Sequence, residues 1–396
     1  MKKISTINFS NKVALIRVDF NVPLDNDLNI MDNSRIIGAL DTIFHVINSG
    51  GKAVLLSHLG RPKDAFDSRF SLINIVPELS RLLKNTVVFL QNYLEESVVE
   101  RINSSAPGSV FLLENLRFNK NEKLGCKEFS KNIARLGTWY VNDAFGTLHR
   151  NHASTSKIAT FFNKKKCFGF LVEKELLALK SVVNKATRPV TAIIGGAKIS
   201  GKIDVIRSLY NVVDNLIVGG GMAYSFIKAL GGEVSNSLVE NEKLSLAKEL
   251  FIEADNKKVN LLLPIDSING SKYSNDCLIT KSNIFNIPKE FAGFDIGEKS
   301  IALFCEAILK SKTIIWNGPM GVFEMSSFEN GTKKIGLAVS EATKNGAFSL
   351  VGGGDSVAAI KKFGLGNSVS YVSTGGGAML KFLEGKKLPG ICAIKD

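Results

Sequence analysis

Cysteine, proline, tryptophan and acidic residues are all scarce in this 396-residue chain, and each shortage excludes something. The five cysteines, Cys126, Cys167, Cys277, Cys305 and Cys392, are scattered, odd in number and never spaced as C-x-x-C. That excludes a disulfide framework and a cysteine-ligated zinc site, and it predicts a reducing compartment. Nine prolines beside thirty-five glycines exclude Pro-rich linkers. Two Trp and six Tyr leave few platforms for stacked bases, and the twenty-five Phe fall mostly in apolar runs. No apolar run reaches the ~18 residues of a membrane span, and the opening MKKISTINFSNK has no signal-peptide core. The expectation is a soluble, cytoplasmic, monomeric protein without a membrane partner. Lys and Arg number 50 against 37 Asp and Glu, a formal charge of +13. The excess favours anionic partners without saying which. Nucleic-acid binding is one reading of it; a compositional bias toward Lys and Asn is the plainer one.

What is present is globular. Apolar residues make up 45% and charged residues 22%, and the length suits two domains of about 150–200 residues each. Short apolar runs at 13–18, 53–57, 86–90, 110–113 and 139–142, then at 190–194, 215–218, 259–263, 313–316, 347–351 and 370–373, read as strands. Most are continuous rather than alternating, so both faces are buried, as in a parallel sheet covered by helices. Amphipathic stretches at 34–49, 73–83, 201–213, 241–256 and 331–344 supply those helices. A Lys-, Asn- and Gly-containing break at 161–169 precedes a helical connector at 170–184. The predicted fold is α/β: two Rossmann-like lobes, each a mostly parallel sheet covered by helices, spanning residues 1–168 and 169–378.

In open α/β sheets, ligands bind beyond the carboxyl ends of the strands. In the first half these ends are polar and cationic. RVDFN places Asp19 and Asn21 after the first strand, and Arg35 opens the next helix. SHLGRP carries His58 and Arg61, LLENLRF carries Arg117, and HRNHAST carries Arg150. Arg forks grip phosphate or carboxylate in a bidentate way that Lys cannot. Singly, each Arg reads as solvated surface charge, and His58 as a structural hydrogen-bonder. Together at strand ends, they predict a compact ligand with several negative charges.

In the second half the ends are rich in glycine: IIGGAKISGK, IVGGGMAYSF, WNGPMGVFE, VGGGDSVAA and STGGGAMLKF. Glycine lets backbone N–H groups approach oxygens closely, and a following helix N-terminus adds partial positive charge. One such loop also serves tight turns; five in one lobe predict a phosphorylated ligand. Lys198 and Lys202 are four apart, a spacing that aligns them on one helical face. Asp355 follows three glycines, where a carboxylate suits Mg²⁺ beside phosphate oxygens or a helix N-cap. Residues 196–202 fit the first seven positions of a P-loop, but Ile203 stands where the Mg²⁺-binding hydroxyl belongs. That match is incomplete even with Asp266 of LLLPID as the acidic partner, and it leaves the cationic first lobe unexplained.

With RVDFNVPLD, SHLGRP, LLENLRF, GGAKISGK, WNGPMGVFE, VGGGDS and STGGGA in order, the chain resembles the phosphoglycerate kinase family from about residue 13 to 394. The ordered set is far more specific than any one motif. The resemblance implies a cleft between the lobes and a C-terminal segment, 379–396, packed back on the first lobe. It implies reversible phosphoryl transfer from 1,3-bisphosphoglycerate to Mg-ADP, giving 3-phosphoglycerate and Mg-ATP. By matching motif, Asp19, Asn21, Arg35, His58, Leu59, Gly60, Arg61, Arg117 and Arg150 are implied to bind the glycerate ligand. Lys202 is implied on the nucleotide phosphates, Glu324 on the ribose hydroxyls, Gly352, Gly353 and Gly354 along the nucleotide, and Asp355 on Mg²⁺. Arg35, Lys198 and Gly376 are implied around the transferring group. The chain departs from the family at Glu298, in DIGEKS where DIGPKT is usual, and at Asn151, where Ala is common; neither is one of those residues.

Such a reaction asks for no general base. In reverse the acceptor is a carboxylate, already ionised at neutral pH. Catalysis then rests on positioning and on stabilising charge on the equatorial oxygens. Lobes that close on both ligands would also keep water from the acyl phosphate. A kinase acting on a hydroxyl would need a carboxylate base instead, and Asp19 is the candidate.

Overall fold

The computed structural model describes residues 2–63, 65–183 and 185–395. Three ends of the expected segments, Met1, Asn184 and Asp396, lie outside them. The chain divides into two compact units, Met1–Leu177 with Lys387–Asp396, and Ala178–Lys386.

The first unit is built on six parallel strands: β1 (Val13–Arg17), β2 (Lys52–Leu56), β3 (Val87–Leu90), β4 (Val110–Leu113), β5 (Trp139–Asn142) and β6 (Lys166–Phe168). Their order is β3-β4-β2-β1-β5-β6. VALIR in β1 and VFLL in β4 are buried at every position, which is why neither alternates. Ile16, Val18, Leu55, Leu112 and Val141 of this sheet meet Ile36, Ile43 and Val46 from one face of the helix Ser34–Asn48. Each Val, Leu or Ile so enclosed contributes on the order of 1.5–3 kcal/mol relative to exposure.

The second unit holds β7 (Val190–Ile194), β8 (Asn215–Val218), β9 (Asn260–Leu262), β10 (Asp266–Gly270), β11 (Ile279–Asn283), β12 (Ala292–Ile296), β13 (Thr313–Asn317), β14 (Phe348–Val351) and β15 (Tyr371–Val372). Six form a parallel sheet ordered β15-β14-β13-β7-β8-β9, and β11-β10-β12 form a separate antiparallel sheet. Ile314, Trp316 and Val351 pack against Phe304 and Ile308 of the helix Glu298–Leu309 and Ile335 and Val339 of the helix Asn330–Lys344. In each parallel sheet the direction of winding reverses beside the central strand, at β1/β5 and at β7/β13, which opens a crevice at the strand ends.

The structure differs from the sequence reading in four places. The break at 161–169 contains β6, whose Lys166 ammonium reaches the Ala393 carbonyl at 2.8 Å. The connector is the helix Phe170–Val183, but its first two turns belong to the first unit. Thr42 Oγ1 accepts from Phe170 N at 2.9 Å, Asp143 accepts from Val172 N at 3.2 Å, and Lys174 pairs with Asp41 at 2.9 Å. The returning segment is shorter than 379–396. The helix Gly376–Leu383 stays in the second unit, where Lys386 holds Asp204 at 2.7 Å, and only the last ten residues join the first. There the Gly390 amide donates to the Leu148 carbonyl at 3.0 Å. The fourth concerns the antiparallel sheet β10–β12, which the apolar-run reading passes over.

Candidate functional site

In the first unit the side chains gather where β1 and β5 end. Asp19 follows β1 directly, and Arg35 stands in the first turn of the helix Ser34–Asn48; its guanidinium donates to Asp19 Oδ2 at 2.7 Å. Asn21 Oδ1 accepts from the Gly60 amide at 2.7 Å, so one loop after β1 and one after β2 are locked together. Arg117, in the turn after β4, donates to the Gly60 carbonyl at 2.8 Å. Leu59 is buried, and its carbonyl accepts from Asn115 Nδ2 at 2.7 Å, so it shapes the loop rather than presenting a side chain. Arg61 is exposed and close enough to Arg150 to help depress its pKa.

The charges in this cluster act on one another. Burial, then Arg17, Arg117, Arg150 and Arg35, hold His58 well below its ordinary pKa, so it is neutral. The His58–Asp19 approach of 3.9 Å is therefore not an ion pair. Burial and the neighbouring guanidinium groups bring Arg117 down to about 10, and the same causes bring His152 to about 4. Arg150 is lowered chiefly by burial, against the raising effect of Asp19. So much like charge in one place is unfavourable until an anion arrives, and binding that anion relieves it.

In the second unit the glycine loops after β7, β13, β14 and β15 line a bay of about 310 Å³. The loops touch backbone to backbone. The Gly195 amide donates to the Asn317 carbonyl at 3.0 Å, and a Cβ at Gly195 would lie 2.0 Å from the Pro319 carbonyl oxygen. Gly353 has φ of +100° and precedes the helix Gly354–Lys362; a Cβ on Gly376 would stand 2.9 Å from its Cα. Lys198, Lys202, Gly353, Gly354, Asp355 and Gly376 all face the bay. Gly352 does not: it is buried, and the place of its missing Cβ is taken by the Met379 sulfur. The segment that mimics a P-loop runs into a short helix, Ile203–Leu209, and Lys202 turns to donate to Asn317 Oδ1. Burial pushes Lys202 down to about 8, opposed only by Asp355.

A second cavity, about 430 Å³, shares Gly196, Ala197 and Asp355 with this bay. Tyr224, Leu238, Tyr273, Phe294 and Val322 give it apolar walls, and Glu324 stands at its edge. Glu298, the departure within DIGEKS, begins the helix Glu298–Leu309 and pairs with Lys281 at 2.9 Å, apart from both cavities. Asn151 accepts from Ser156 Oγ at 2.7 Å, a contact that braces the loop carrying Arg150.

Three positions that contact or line the candidate site escaped the sequence reading. Asn317 orients Lys202 and ties it to the Gly352 carbonyl, with 2.7 Å between Asn317 Nδ2 and that oxygen. Tyr273 sits in the turn between β10 and β11 and meets Phe294 edge-on at 5.7 Å. Arg17 is the last residue of β1 and fully buried. The first and third lie inside strands, and attention to loops alone misses them. Among the described residues, no group of three or more His, Cys, Asp or Glu is placed to hold a metal ion. No described helix is long and apolar enough to cross a membrane.

A family model described as phosphoglycerate kinase matches residues 4–386. The phosphoglycerate kinase of Porphyromonas gingivalis is 47% identical over 416 aligned positions, 99% of either chain. That of Chlorobaculum tepidum is 48% identical over 395 positions, 100% of this chain and 99% of the other. The solved structure of phosphoglycerate kinase from Coxiella burnetii superposes with a TM-score of 0.89 at 40% identity, covering 99% of this chain and 98% of that one.

Proposed function

This chain belongs to the phosphoglycerate kinase family, and from that premise we propose how its own residues carry the family's glycolytic reaction. The reaction moves a phosphoryl group between the acyl phosphate of 1,3-bisphosphoglycerate and ADP. Arg35, His58, Arg61, Arg117 and Arg150, with Asp19 and Asn21, take the glycerate ligand in the first unit. The glycine bay of the second unit takes the nucleotide phosphates, with Lys202 reaching them. The adjoining apolar cavity takes the base, and Glu324 accepts from the ribose hydroxyls.

One observation carries the assignment. Asp19, the carboxylate within the cationic cluster, is held by Arg35 at 2.7 Å. A carboxylate so engaged orients a guanidinium and is not free to take a proton. His58 is neutral, but it is hemmed in by cations that disfavour its gaining a proton. The cluster can thus collect anions and cannot deprotonate a hydroxyl. An acceptor that is already an anion, such as the carboxylate of 3-phosphoglycerate, fits; an alcohol does not.

Mg²⁺ belongs to this reading as a companion of the nucleotide. Its usual setting is one or two carboxylates plus substrate phosphates, and exposed Asp355 at the bay supplies one. When bound, the ion neutralises phosphate charge. The remaining work falls to the chain. Arg35 and Lys198 stabilise charge on the transferring group, and the amide at Gly376, in the first turn of its helix, adds a donor. The two ligands must meet in line and without water, so we assign the reactive state to a form that both ligands together favour. A scattering radius unchanged by adding both would refute that step. The five cysteines are free, in keeping with action in the cytoplasm, and a monomer suffices for all of these roles. The direct test is a coupled assay with 3-phosphoglycerate and Mg-ATP; steady ADP release dependent on 3-phosphoglycerate is expected, and none would refute the assignment.

A further inference from the structure

Arg17 is one of the largest fully buried side chains in the molecule, and it ends the strand that leads to Asp19. Each nitrogen of its guanidinium has a partner. Nε donates to Ser154 Oγ at 2.9 Å, Nη1 donates to the Val18 carbonyl, and Nη2 lies 3.1 Å from His58 Nδ1. Ser154 passes the link on. Its hydroxyl donates to Glu122 Oε1 at 2.6 Å and its amide to Glu122 Oε2 at 2.9 Å. Glu122 is itself buried, so the chain Glu122–Ser154–Arg17–His58 balances one buried anion with one buried cation.

A guanidinium has donors only and does not lose its proton in a protein. Whatever faces Nη2 must therefore be an acceptor. His58 Nδ1 consequently carries no proton, and the neutral ring keeps its hydrogen on Nε2. We propose that Arg17 is a positioning residue that fixes His58 in the Nε2–H tautomer, so that His58 offers the glycerate ligand a hydrogen-bond donor and no basic lone pair. The inference deepens the proposed function and rests on the glycerate site assigned there. Arg17 keeps its distance from the substrate in this scheme and acts through the imidazole.

Every charged group facing His58 works in the same direction or holds it still. Arg35 approaches from the helix after β1, Arg117 from the turn after β4, Arg150 from the loop after β5, and Arg17 from within the sheet. Asp19 Oδ1, at 3.9 Å, is the carboxylate nearest to Nδ1, and its other oxygen is spent on Arg35. The ring is thus expected to keep one tautomer across the range in which free histidine titrates.

The chain has only four histidines, so ¹⁵N-histidine spectra can be read ring by ring after His58→Gln identifies the signal. For the whole wild-type protein, His58 is expected to show an unprotonated Nδ1 and a protonated Nε2 from pH ~8 to ~5. A proton on Nδ1, or titration in that window, would overturn the proposal. Arg17→Met is expected to release the ring into a mixture of tautomers and to lower kcat/KM for 3-phosphoglycerate by about tenfold, leaving the KM for ATP unchanged. Should that variant fail to fold, Ser154→Ala, which frees one end of the guanidinium, is expected to give a smaller shift of the same signals. Wild-type spectra in the Ser154→Ala variant would overturn the relay. The two failures can be told apart: an inactive wild type with the stated ring state sinks the function, whereas an active wild type with the other tautomer sinks only this inference.

Discussion

With Lys202 on the nucleotide phosphates, as proposed, nucleotide binding should be a proton-linked event. Its ammonium is largely removed from water and donates to Asn317 Oδ1, and burial brings its pKa from 10.5 to about 8. Phosphate oxygens entering the bay would favour the charged form and return the group to its ordinary value or above. The sign follows. Below pH 8 the lysine is already charged and binding ADP moves no proton. Above it the free protein has lost the proton that the complex requires, so ADP brings one in and affinity falls as pH rises. With a free pKa of about 8 and a bound one of at least 10.5, uptake is about half a proton at pH 8 and about 0.9 at pH 9. ADP itself is fully ionised at both values and contributes nothing. Isothermal titration of ADP in pairs of buffers with different ionisation enthalpies measures this number directly. Lys202→Met should abolish the uptake along with much of the affinity. Zero uptake at both pH values in the wild type would show that Lys202 is charged in the free bay, and uptake surviving in Lys202→Met would assign the proton elsewhere.

Arg35→Ala and Lys198→Ala should each lower kcat by about 10²-fold or more with smaller changes in KM, because both are assigned to charge on the transferring group. A change confined to KM in steady-state assays would give them a binding role instead. Gly195→Ala would drive a Cβ to within 2.0 Å of one backbone carbonyl oxygen and 2.7 Å of another. It should cost about 3 kcal/mol and weaken ADP binding; a wild-type melting temperature would contradict the packing described. Asp143 is buried, and burial raises its carboxyl to about 7, with Oδ2 left without a hydrogen bond. A folded pKa above the unfolded 3.8 means its favourable contribution is complete below that value and is lost as pH rises to about 7. Asp143→Asn should therefore raise the melting temperature at pH ~8 more than at pH ~4, and an equal shift at both would refute the assignment.

The strands that enter two helix-covered faces were legible because they must be apolar throughout; β1, β7 and β13 are buried at every position and stand out as such. The antiparallel sheet was not legible for the converse reason. DSING, ITKSN and AGFDI are poor in β-branched apolar residues, and β10 is stabilised through polar contacts: Ser267 Oγ donates to Asn269 Oδ1 at 2.7 Å, and Asn269 donates to Ser282 at 2.9 Å. β6 hid behind three lysines, one of which covers the strand end by reaching a carbonyl of the last helix. Among candidate site residues, those after strands announced themselves by type and place. Arg17 and Asn317 did not, because a polar group at the last position of a strand looks like an ordinary strand end until its partner, distant in sequence, is known. Gly352 is silent for a related reason, since a glycine that makes room for Met379 is indistinguishable in sequence from one that makes room for a phosphate.

The last ten residues complete a body whose other 177 come first in the chain. During synthesis, everything between 178 and 386 leaves the ribosome before the helix Pro389–Lys395 can reach Leu148 and Lys166. The unit translated first is thus the one completed last, and the nascent protein must hold an unfinished sheet edge at β6 while a whole second unit assembles. Removing residues 387–396 would strike the first unit, far in sequence from most of its residues.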